Sequence, residues 1–268
     1  MNRLAIKACA DILGESFRQN LPADVQLSYY FKNNRNLGSV DRGAIAEIYY
    51  GVIRNKRLLE EIVGDAHCKK MILVYLLVLK GHSIKELNEV TDEYEIEWLI
   101  DKKKNKVHID SWPKKLSLPD WIWTKLTLYY GEEEAIALAT ALLKPATLQL
   151  RVNSLKASSV KDVVDEFRLS FPAEADKIKQ TEWSKQAISL PRGTPIQKHP
   201  LFLGGSIEVQ EEGSQLLSLL LDAKRGHMVA DFCAGAGGKA LALSALMKNT
   251  GRIYAFDISD RRLANLKQ

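Results

Sequence analysis

The segment Val229-Ala-Asp-Phe-Cys-Ala-Gly-Ala-Gly-Gly-Lys239-Ala-Leu-Ala-Leu carries the densest chemical signal in the sequence. An apolar run, a glycine-rich turn and a second apolar run predict a strand, a tight loop and a helix. Glycine gives such a loop the backbone freedom to turn sharply, and its missing side chain lets a ligand lie against the main chain. The loop also delivers the N–H groups of the helix's first turn and the positive end of its dipole. Together these favour an anionic group by roughly 0.3–1 kcal/mol. Asp257 stands twenty-two residues after Gly235, at the end of a further strand-like run over 252–256. A carboxylate at that place can accept hydrogen bonds from both hydroxyls of a ribose. The arrangement is that of a nucleoside-binding half of a doubly wound sheet.

The pattern leaves the kind of nucleoside open. A phosphate-binding Gly-x4-Gly-Lys-Ser/Thr loop is excluded, because Cys233 and Ala240 occupy the first glycine and the hydroxyl position. Gly235-x-Gly237-x-x-Ala240 fits a loose dinucleotide fingerprint, although only 28 residues follow Ala240. Asp231, four residues before Gly235, fits the S-adenosylmethionine pattern, in which the loop meets an amino-acid carboxylate instead of a pyrophosphate. A purely structural turn is the third reading.

The elements that would position this loop can be read along the chain. Ile6, Ala10, Leu13 and Phe17 fall at helical spacing, as do Ile45, Ile48, Tyr49 and Val52 behind a candidate cap at Ser39. Residues 71–79 form an apolar run ended by Gly81, predicting a buried helix too short to span a bilayer. Ser83 and Glu86 form a capping box for the next helix. A helical pair begins near Asp120 and stops at Pro145. Beyond it, 148–153, 187–190 and 206–210 read as strands, and Ser159 caps a helix carrying Val163, Val164 and Phe167. A helix from Gly213 then leads into the strand at 228–232.

Composition sets the class. The net charge is +5, and residues 101–200 hold the surplus, with 17 Lys and Arg against 12 Asp and Glu. That balance suits a polyanion such as RNA, and equally a solvated basic surface. Cys9, Cys68 and Cys233 form no CxxC pair and no Cys/His cluster. A disulfide framework and a metal site are therefore not expected, and a reducing cytoplasm is the natural setting. Lys7 and Asp11 interrupt the N-terminal segment, which does not read as a signal peptide.

Asp231-Phe-Cys-Ala-Gly-Ala-Gly-Gly-Lys239 resembles the first motif, Asp-x-Cys-Ala-Ala-Pro-Gly-Gly-Lys-Thr, of the bacterial Sun/Fmu-type (RsmB-like) rRNA cytosine-5 methyltransferases. Val209-Gln-Glu-Glu-Gly-Ser-Gln215 and Leu150-Arg-Val-Asn-Ser-Leu-Lys156 resemble two further family segments. Leu118-Pro-Asp-Trp121 with Tyr130-Gly-Glu-Glu-Glu134, and Asp41-Arg42 with Tyr50-Gly-Val-Ile-Arg54, agree in the family's order. The resemblance implies a multidomain α and α/β chain in three parts. These are a NusB-like helical RNA-binding domain over 1–144, a small α/β module over 145–210, and an incomplete Rossmann-like methyltransferase domain over 211–268.

By the same resemblance, S-adenosylmethionine is the cofactor. Cys233, Ala234, Gly235, Ala236, Gly237, Gly238 and Lys239 would line it, and Asp257 would hold its ribose. Gly235 and Ala236 replace the family's Ala-Pro and Ala240 its Thr, which puts affinity in more doubt than the identity of the site. The implied reaction is methylation of cytosine C5 in small-subunit (16S) rRNA, through a cysteine thiolate that adds to C6. The family's Pro-Cys and Thr-Cys motifs are absent up to Gln268, so no catalytic residue is assigned and the chain as given is expected to be inactive. It is also expected to leave one edge and an apolar face of its last sheet open. Two other classes stay in view: a non-catalytic RNA-binding or assembly module, and an NAD-binding oxidoreductase.

Lys102 to Lys106, Lys114 and Lys115 could meet phosphates, or simply be solvated. Trp112, Trp121 and Trp123 could stack on bases, but their spacing beside Leu116, Leu118 and Leu126 predicts core. Arg151 and Asn153 are weighed as RNA contacts on the family's RNA-side strand.

Overall fold

The computed structural model describes residues 3–19, 21–105 and 107–267, and the chain divides into two compact units, Met1–Lys144 and Pro145–Gln268. The first is helical. Its helices Arg3–Arg18, Ser39–Arg54 and Cys68–Val74 bring Ile6, Cys9, Ile12, Leu13, Ile45, Tyr49, Val52 and Met71 into one dry core. Gly38 takes the cap position that the sequence suggests for Ser39, and Ser39 becomes the first helical residue. The expected capping box is present, with Ser83 accepting from the Glu86 N–H.

The run over 71–79 is not one regular helix. After Val74 it widens into a π-helix over Tyr75–Leu79, where the Lys80 N–H donates to the Tyr75 carbonyl at 3.0 Å. The Tyr75 ring, at the start of this wider i→i+5 turn, lies on Gly51 of the neighbouring helix. A Cβ on Gly51 would stand 2.1 Å from the Tyr75 hydroxyl oxygen, so the missing side chain is what permits the contact.

The pair Asp120–Tyr130 and Glu132–Leu142 forms a satellite cluster, in which Leu116, Leu118 and Ala139 are buried beside the half-buried Trp112 and Trp123. Trp121 lies outside it, 64% exposed. Arg57 ties the pair to the helical core by donating to the Leu118 carbonyl and pairing with Asp120 at 3.0 Å.

The second unit holds two sheets. Strands β1 (Leu148–Val152), β2 (Lys179–Gln180), β3 (Ala187–Leu190) and β4 (Ile207–Val209) form an antiparallel sheet in the order β2-β3-β1-β4. One face packs Leu150, Val152 and Ile188 on Val163, Val164 and Phe167 of the helix Val160–Ser170, which Ser159 caps as expected. Strands β5 (Met228–Asp231) and β6 (Arg252–Ala255) pair in parallel, with the helix Gly238–Leu246 between them in sequence. That helix and the Met247 that follows it cover one side, with Leu243 and Met247 buried. Phe232 and Phe256 stack just past the strand ends with ring centroids 5.2 Å apart, and both are exposed. Among the described residues, no helix is long and apolar enough to cross a membrane.

Two helical glycines make opposite predictions. Gly14 faces open space in the helix Arg3–Arg18, so Gly14→Ala should stabilise the helical unit by about 0.5–1 kcal/mol. Gly51→Ala must displace Tyr75 and should cost about 1–3 kcal/mol. Urea unfolding followed by circular dichroism reads both, and equal effects would contradict the packing described.

Candidate functional site

The loop between β5 and the helix Gly238–Leu246 is built from both strands. The Phe256 N–H donates to the Asp231 carbonyl at 2.8 Å, and the Ala234 N–H donates to the Phe256 carbonyl at 2.9 Å. The chain then turns back on itself. Gly235 (φ +56°) and Gly237 (φ +93°) are both left-handed, a conformation that side chains resist. Gly237 caps the helix, and its carbonyl accepts from Leu241 at 2.8 Å. A Cβ there would also strike Leu266, which lies over it at 2.1 Å. The N–H groups of Gly238, Lys239 and Ala240 fall in the first helical turn, where no carbonyl of the helix can reach them.

Asp257 meets this loop directly. One carboxylate oxygen accepts the Gly235 N–H at 2.8 Å, and the other accepts the Ser259 N–H at 2.9 Å. These backbone donors, from Ser259 and then Gly235, with the nearby Arg262 guanidinium, hold the Asp257 carboxyl below its ordinary value. A carboxylate offers about four acceptor positions, so two remain for a pair of hydroxyls. The loop 233–239 and Asp257, both nominated for the cofactor, therefore adjoin one another. Ala234, Gly235 and Gly237 are buried, Gly238 and Lys239 are half-buried, and Cys233 and Ala236 are exposed. Asp231 lies beneath the loop, with one oxygen accepting the Cys233 N–H at 3.2 Å and the other unpartnered.

The segment before β5 fastens the antiparallel sheet to this region. Glu212 opens the helix Glu212–Leu220, and its carboxylate accepts from the Thr181 hydroxyl at 2.6 Å and from the N–H groups of Trp183 and Ser184. Burial pushes this carboxyl up, but the three donors outweigh it and hold it below the ordinary value. Gln215 donates to the Gln210 carbonyl at 2.9 Å.

Other nominated residues fall differently. Arg151 is only 1% exposed, because it lies on the face of β1 that packs inward beside β4. Its Nε donates to Gln210 Oε1 at 2.7 Å and its guanidinium pairs with Glu208, so it is not available to an external RNA. Asn153 donates to the Gly205 carbonyl and accepts from the Leu155 N–H, bracing a turn. Lys102, Lys103 and Lys115 line one cleft of the helical unit together with His108. Lys114 instead pairs with Glu61 at 2.8 Å, and Lys106 lies outside the described residues. Burial drives the Cys9 thiol far up and the Cys68 thiol up, so neither is an activated nucleophile. The buried Gln210, beside the loop, enters the sequence reading only as part of the segment 209–215 that resembles a family motif, with no role assigned to it. A second signal is its place just past the strand that pairs with Arg151.

Residues 218–268 match the family model of 16S rRNA methyltransferase RsmB/F. The probable ribosomal RNA small subunit methyltransferase B of Bacillus subtilis (strain 168) is 25% identical, aligned over 92% of this chain and 61% of that protein. A 28S rRNA (cytosine-C(5))-methyltransferase of Mus musculus is 32% identical over 129 residues, which is 43% of this chain and 28% of the mouse protein. The chain spans about 60% of the length of the curated bacterial relatives it matches. The crystal structure of PH0851 shares the fold with a TM-score of 0.69 at 24% identity, covering all of this chain and 66% of that one.

The Gly235 N–H should report the titration of Asp257. Because the folded carboxyl is held low, the hydrogen bond is intact above the ordinary aspartate range and is lost only as pH falls through the lowered value. The Gly235 amide resonance should therefore titrate with a midpoint below 3.8, the unperturbed value. It should not titrate in Asp257→Asn. A midpoint above 3.8 would contradict the bond.

Proposed function

We propose, taking as premise that the chain belongs with the RsmB-like rRNA methyltransferases, that it binds S-adenosylmethionine and serves C5 methylation of a cytosine in small-subunit rRNA. The observation that carries this reading is the closed loop and carboxylate, in which Gly235 donates to Asp257 at the mouth of a glycine-capped helix. Asp257 has acceptor capacity left for a ribose, and the first-turn N–H groups of Gly238, Lys239 and Ala240 suit a carboxylate at the other end. Cys233, Ala234, Ala236 and Gly237 complete the lining. When bound, the cofactor supplies the methyl group. This chain's own residues hold and orient it, and no catalytic nucleophile is assigned among them.

In this reading the helical unit, residues 1–144, is a NusB-like RNA-binding domain. Residues 145–210 are the α/β module and 211–268 the Rossmann-like part. The cleft with Lys102, Lys103, His108 and Lys115 supports an RNA partner, since three lysines line it.

Calorimetry with this chain should show adenosylmethionine binding and no heat with NAD, and Asp257→Ala should weaken binding about tenfold or more. Binding of NAD, or of neither ligand, would overturn the assignment. Affinity for a small-subunit rRNA fragment should fall steeply between about 50 and 200 mM salt. The slope should be shallower in Lys102→Glu/Lys103→Glu, and an unchanged slope would remove the cleft from the RNA surface.

A further inference from the structure

A buried polar relay ends at the glycine loop. Glu208 pairs with Arg151, and the Arg151 Nε–H donates to Gln210 Oε1 at 2.7 Å. Arginine can only donate, so this contact fixes which end of the Gln210 amide is the oxygen. The Nε2 end must point the other way. Gln210 is 6% exposed and its Nε2 has no hydrogen-bond partner. A Cβ built on Gly238, the first residue of the loop's helix, would lie 3.8 Å from that nitrogen. A desolvated amide donor without an acceptor is costly, and a native fold keeps one where something else supplies the acceptor.

We propose that Gln210 is a ligand-binding residue, whose Nε2–H donates to the amino-acid carboxylate of the cofactor at the start of the helix Gly238–Leu246. Arg151 is its positioning residue. The Arg151 guanidinium keeps a further nitrogen, Nη1, unpartnered in the interior, so the relay is deficient in acceptors at both ends. An anion arriving at the loop remedies the end that Gln210 occupies. This inference rests on the nucleoside reading of the loop and adds to it a donor from the antiparallel sheet. The small α/β module would then be part of the cofactor site and not solely a neighbour of it.

Two ligands separate the roles: adenosylhomocysteine, which has the amino-acid carboxylate, and 5′-methylthioadenosine, which lacks it. Gln210→Glu keeps an oxygen for Arg151 and replaces the donor with an acceptor. Gln210→Met removes the amide at nearly constant volume. In the full chain, calorimetry should show adenosylhomocysteine weakened at least about tenfold by either variant, with methylthioadenosine unchanged within about twofold. Equal weakening of both ligands would make Gln210 a structural support and overturn the proposal, and so would no weakening of either. Should one variant fail to fold, as read by circular dichroism, the other decides. If the wild-type chain binds neither ligand, the nucleoside reading itself falls and the role of Gln210 with it.

Discussion

The bond from the Gly235 N–H to the Asp257 carboxylate joins the loops that leave two paired strands, beside the Ala234 N–H to Phe256 carbonyl bond that continues their ladder. It can form only if residue 235 takes a left-handed backbone, because that turn aims the N–H across to the second strand. Gly237, also left-handed, then starts the helix at once, leaving the N–H groups of its first turn without a carbonyl partner inside the helix. The site is thus a backbone object, and its specificity lies in where Asp257 stands. The Ser259 and Gly235 N–H groups, with the nearby Arg262, hold that carboxyl below its ordinary value and favour its acceptor form.

The end of the antiparallel sheet lies next to this loop, where Gln210 comes close to Gly238. Glu212 gathers three donors from the turn at 181–184, and Gln215 clasps the Gln210 carbonyl. Each contact satisfies a group that burial would otherwise leave costly. Their common effect is to hold the start of the helix Glu212–Leu220 against the antiparallel sheet. The same sheet buries Arg151, whose charge is answered by Glu208 and whose Nε sets the amide of Gln210. A segment that resembles a family motif in sequence thus acts in the structure through what it fixes beside the loop.

Much of this was legible from residue types. Strand β1 and the helix capped by Ser159 follow from alternation and capping, and the Asp257 position follows from the end of the run at 252–256. Other features depend on tertiary partners that no local pattern encodes. Tyr75–Leu79 reads as ordinary helix, and it widens where the Tyr75 ring meets Gly51. Arg151 reads as an outward-facing base on a strand, since alternation cannot tell a second buried face from a solvent face. Its burial becomes intelligible only once Glu208 is found opposite it in the register. Trp112 and Trp123 obey the core spacing, while Trp121 points away because the cluster needs only one side of its helix.

The central claim is that one ligand spans the glycine loop, Asp257 and Gln210. The most direct test is to map amide and side-chain shifts on adding adenosylhomocysteine to the isotopically labelled chain. The account predicts changes at 233–239, at Asp257 and at the Gln210 Nε2 protons, with the helical unit silent. Changes confined to the cleft around Lys102 and Lys115, or absent from Asp257 and Gln210, would contradict it.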